Sequence, residues 1–104
     1  MHKAPQAHPE MTTLLEAMPV LRHRLAYWPD GVKADGLVAL AYRGASQGEK
    51  CAIEFMLSVW DPDADWSKSG FRNFHLAEAL PVLGGGSSPE VQVIIRWMEK
   101  PFFP

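Results

Sequence analysis

Apolar and polar positions alternate along the chain with two different periods. From Glu10, the stretch EMTTLLEAM sets Met11, Leu14, Leu15 and Met18 three and four residues apart, the spacing of one buried helix face. A glutamate stands in the first turn, where the helix dipole favours it. Pro19 lacks an amide hydrogen and disfavours helical geometry at Met18, so the helix stops or kinks there. In PVLRHRLAYWPDG the two periods compete. Leu21, Leu25 and Trp28 share a helical stripe, while Leu21, His23, Leu25 and Tyr27 alternate as a strand would, and residues 20–28 are read as helix over strand. WPDG follows as a turn, with Gly31 accepting positive φ.

The next segments predict strands. GLVALAYR over 36–43 and KCAIEFMLSVW over 50–60 are apolar runs joined by GASQGE, a glycine-bearing loop that suits a hairpin. FRNFH over 71–75 adds a third short strand. Strand alternation puts Cys51, Ile53, Phe55, Leu57 and Val59 on a core face and Ala52, Glu54, Met56, Ser58 and Trp60 on the other. The expected fold is α+β: one domain over 9–104, an antiparallel sheet of two to three strands, and N-terminal and C-terminal helices packed on it. The second sheet face is too apolar for water, so a partner subunit or a ligand should cover it.

LAEALPVL, beginning at Leu76, repeats LLEAMPVL, beginning at Leu14, at six of eight positions. The similarity goes no further, whereas a true repeat continues through a supersecondary unit. Both are read as a short helix ended by its proline, Pro19 or Pro81. GGGSS is a connector. Ser88 before Pro89, or Ser87 with Glu90, caps a last helix whose buried stripe is Val91, Ile94, Ile95 and Met98, widened by Val93 and Trp97. Pro101 stops it, and PFFP folds back over apolar surface.

Composition then narrows the function. A chain of 104 residues can bury one core without staples. Ten Lys and Arg against 12 Asp and Glu give a net charge of −2, which disfavours general nucleic-acid binding. Cys51 is the only cysteine, so no intrachain disulfide or Cys-based zinc site is available, and a cytoplasmic setting fits best. No segment approaches the roughly 20 apolar residues of a membrane span. Residues 1–8, polar and interrupted by Pro5, are expected to be a disordered leader.

The acidic stretch WDPDADWSKSG carries the most chemistry. Asp61, Asp63 and Asp65 are spaced like the first ligands of a calcium loop, but Trp66 stands where that loop needs Gly and Arg72 where it needs Glu. No metal or cofactor is expected. Trp60 and Trp66 bracket these carboxylates, and with Glu54 they compose a site for an organic cation, worth about 0.5–2 kcal/mol per contact; a solvated loop accounts for the same residues. Cys51 and His75 could form a nucleophilic dyad, but nothing in the sequence places them together, and a cysteine on an apolar face is ordinarily inert. His2, His8, His23 and His75 lack zinc-site spacing. GGGSSPE lacks the lysine and the preceding strand of a phosphate-binding turn. The ending WMEKPFFP resembles small bacterial accessory proteins carried on mobile elements; eight residues transfer neither fold nor site.

The expectation is therefore a non-enzymatic binding or protein–protein interaction module, homodimeric through the Glu54, Met56 and Trp60 face. The alternative is a binder of an organic cation at Glu54, Trp60, Asp61, Asp63, Asp65 and Trp66.

Overall fold

The structure, a computed structural model, describes residues 9–28, 31–60, 71, 74–102. It is helical: α1 (Pro9–Glu16), α2 (Pro19–Arg22), a 3₁₀ turn (His23–Tyr27), α3 (Ala34–Tyr42), α4 (Gln47–Trp60), α5 (Leu76–Leu83) and α6 (Pro89–Glu99). Among the described residues there is no strand, so the α+β fold and its antiparallel sheet are corrected. The supposed strands 36–43 and 50–60 are α3 and α4, and Phe71, Phe74 and His75 of the third lie in irregular chain. The leader, residues 1–8, and the acidic stretch 61–70 lie outside the described residues.

The correction has a physical cause. At about 100° per residue, the apolar residues of α4 fill one broad arc, and Ala52, Ile53, Phe55, Met56, Leu57 and Val59 are all buried. Lys50, Glu54 and Ser58 gather on the opposite side. A helix apolar over most of its circumference belongs at the centre of a bundle, and α1, α2, α3 and α5 all pack on α4. Of the second face that implied a partner subunit, Ala52 and Met56 are covered from within the chain, whereas Glu54, Ser58 and Trp60 are half-buried.

GASQGE reverses direction by stopping one helix and starting the next. Gly44, at φ 91°, follows Arg43, the residue that caps α3. Ser46 then opens α4 with a reciprocal cap: its hydroxyl accepts from the Glu49 amide at 3.1 Å, and the Glu49 carboxylate accepts from the Ser46 amide at 3.0 Å.

The two similar octapeptides end differently. In the first, Met18 is extended and fully buried, and Pro19 is the first residue of α2, where its missing amide hydrogen costs nothing. In the second, Pro81 lies inside α5, which runs on to Leu83 and ends at Gly84, φ 99°. The Gly85 amide closes this end on the Leu80 carbonyl at 2.6 Å. Pro81 therefore does not end its helix, as the sequence had implied; the left-handed glycine behind it does.

The N-terminal and C-terminal helices follow expectation more closely. Met11, Leu14, Leu15 and Met18 are buried, and Ser88 caps α6 by accepting from the Val91 amide at 3.1 Å. Val91, Val93 and Ile94 are buried; Met98, expected in the stripe, is 43% exposed. Phe55 sits at the centre, edge-on to Phe74 at 5.3 Å and to Trp97 at 5.6 Å between ring centres. The Trp97 indole donates to the Phe102 carbonyl at 3.1 Å, which folds the segment after α6 back onto the core.

One polar contact ties distant parts together. The Glu90 carboxylate, in the first turn of α6, accepts from the Val20 amide at 3.0 Å. That amide is at the start of α2, whose own cap position, Met18, has no side-chain acceptor. Glu90 thus serves the positive ends of two helices. No helix among the described residues is long and apolar enough to cross a membrane.

Candidate functional site

Of the residues proposed from the sequence, Glu54, Met56 and Trp60 lie among the described residues, and Met56 does not share a surface with Glu54. Glu54 and Met56 were put on one face by strand alternation; in a helix, two residues separate them by about 200°. Met56 is fully buried, Glu54 is half-buried, and Trp60 is half-buried against the core. Asp61, Asp63, Asp65 and Trp66 lie outside the described residues. Cys51 and His75, the pair set aside from the sequence, line one cleft of about 240 Å³ between α4 and α5, with Glu54, Glu78 and Phe74. Lys50, from the same wall, holds its ammonium 5.9 Å from the centre of the Phe71 ring. Among the described residues no three His, Cys, Asp or Glu side chains converge as metal ligands would.

The strongest electrostatic feature lies at the start of α4, and it was legible as S-x-x-E before an apolar run. Besides capping the helix, Glu49 receives Arg24, whose Nε donates at 2.8 Å to one carboxylate oxygen and Nη2 at 3.3 Å to the other. His23 Nε2 is 3.7 Å from the same carboxylate. The Arg24 guanidinium holds the Glu49 carboxyl below the usual glutamate range; burial opposes this, and the Ser46 amide assists it. Arg24 is thus part of the frame, while Arg22 and His23 before it are exposed.

Arg24 also borders a cleft of about 360 Å³ shared with Trp28, Gly36, Ala39, Leu40 and Arg43. Glycine at 36 is required by packing: a Cβ there would come 2.6 Å from the Trp28 indole nitrogen.

A third groove, about 250 Å³, runs between α1 and α6. Glu10, Thr13, Leu14 and Ala17 form one wall, and Val93, Arg96, Trp97 and Lys100 the other, with Phe102 completing it. Each wall has the i, i+3, i+4, i+7 spacing of a single helix face. Its floor is apolar, and its charges differ by wall: acidic on α1, basic on α6. Sequence reasoning assigned Val93 and Trp97 to the stripe of α6 but had no signal that α1 would lie beside it.

The chain matches no family model, no curated protein and no solved structure.

Proposed function

We propose that the protein is a non-enzymatic interaction module that pairs with a second copy of itself through the α1/α6 groove. The observation that carries this reading is the division of charge across an apolar floor. A two-fold axis presents the same patch to itself, so each Glu10 wall meets an Arg96 and Lys100 wall, twice per dimer. Among the described residues, Glu10, Arg96 and Lys100 form no ion pair within the chain. Ala17, small and exposed, leaves room for a neighbouring helix to approach. The reading includes a reducing, cytoplasmic setting, in which the lone Cys51 stays a thiol.

Sedimentation at micromolar concentration tests it. A dimer is expected, dissociated by Ala17→Arg and weakened by Arg96→Glu, with Glu10→Lys restoring association to the Arg96→Glu chain. A strict monomer, or a dimer indifferent to all three changes, refutes it.

A further inference from the structure

The cleft between the 3₁₀ turn and α3 shares no residue with the α1/α6 groove, and its lining is of a different kind. Two arginines, Arg24 and Arg43, meet an indole and a small apolar floor of Gly36, Ala39 and Leu40. Among the described residues no carboxylate lines it. We propose that this cleft binds a small planar anion: a ring that lies on Trp28, bearing a carboxylate or phosphate that Arg24 and Arg43 hold.

A guanidinium recognises an oxyanion through a planar fork of N–H donors, and it also stacks on flat rings. Arg24 is pre-positioned, because two of its donors grip Glu49, itself fixed by the Ser46 cap. Its side chain is nevertheless 25% exposed, so the group is anchored without being sealed off. Arg43 is exposed at the end of α3 and, among the described residues, makes no ion pair. The missing side chain at Gly36 lets the indole lie directly on α3, giving Trp28 a fixed position against which a ring can stack. The volume, about 360 Å³, falls in the range of small-ligand pockets.

Calorimetric titration of the full chain with benzoate and with phenyl phosphate tests the assignment, with benzamide and inorganic phosphate as controls. At least one ring-bearing anion is expected to bind saturably, and whichever binds more tightly identifies the headgroup. Benzamide, which lacks the charge, and inorganic phosphate, which lacks the ring, are expected to bind roughly tenfold more weakly or worse. Arg43→Gln, at an exposed position that leaves the fold intact, should weaken binding by about tenfold, and Ala39→Glu should abolish it through like charge. The proposal is overturned if neither ring-bearing anion binds at millimolar concentration, if inorganic phosphate binds as well as phenyl phosphate, or if the Arg43→Gln chain binds like the wild type.

Discussion

Replacing Glu49 by alanine tests whether the cluster at the start of α4 holds the bundle together. Three contacts are lost at once: the bidentate bond from Arg24, at 2.8 and 3.3 Å, and the bond from the Ser46 amide, at 3.0 Å. Removing one partner of a fully buried ion pair costs about 3–5 kcal/mol. Here the Glu49 side chain is 9% exposed and that of Arg24 25%, so water reaches the abandoned guanidinium and reduces that cost. About 1–2 kcal/mol for the charge-assisted bonds and about 1 kcal/mol for the cap give an expected loss of about 2–3 kcal/mol. Glu49→Gln retains an acceptor for Ser46 and loses the charge, so it should cost about half as much. Urea unfolding followed by circular dichroism reads this as a lower midpoint with an unchanged slope. A loss below about 0.5 kcal/mol, the size of a surface substitution, would refute the reasoning.

The same contact has a pH signature. Arg24 lowers the folded-state pKa of Glu49 relative to the unfolded chain. Its stabilisation is therefore complete above the ordinary glutamate pKa of about 4.3 and is lost as pH falls below that value through the folded pKa. The stability gap between wild type and Glu49→Gln should be constant near neutrality and close on acidification.

Gly36→Ala would ordinarily stabilise a helix by about 0.5–1 kcal/mol; with Trp28 in the way it should instead destabilise and shift tryptophan emission. Glu90→Ala removes the acceptor for the Val20 amide and should cost about 1 kcal/mol in thermal or urea unfolding. Gly84→Ala forces a side chain into a backbone at φ 99° and should cost about 1–2 kcal/mol, whereas Pro81→Ala restores a helical amide and should be neutral or stabilising.

Where one period dominated, the sequence was readable: Met11, Leu14, Leu15 and Met18 lie buried as spaced, and Ser88 caps as placed. It misled where apolar residues filled most positions. A run such as CAIEFMLSVW satisfies a two-residue alternation and a helical arc alike, so composition has to arbitrate. Leu and Ala in α3, and Lys, Ala, Glu, Met and Leu in α4, are helix formers, and S-x-x-E at Ser46 marks a helix start. Those signals outweigh two permissive glycines. The groove between α1 and α6 was not legible, because its walls mix buried-stripe residues such as Leu14, Val93 and Trp97 with charged edge residues, and nothing in the sequence sets the two helices side by side. The different fates of Pro19 and Pro81, in octapeptides alike at six of eight positions, show how far context decides: Glu90 supports a new helix start after Pro19, and Gly84 supplies a later end after Pro81.

The bond from Val20 to Glu90 spans 70 residues of sequence, which bears on the timing of folding during synthesis. While the ribosome is still making the chain, the Val20 amide is left to water, because the carboxylate that takes it in the finished fold belongs to residue 90. This contact at the start of α2 therefore closes only once the C-terminal helix has been made.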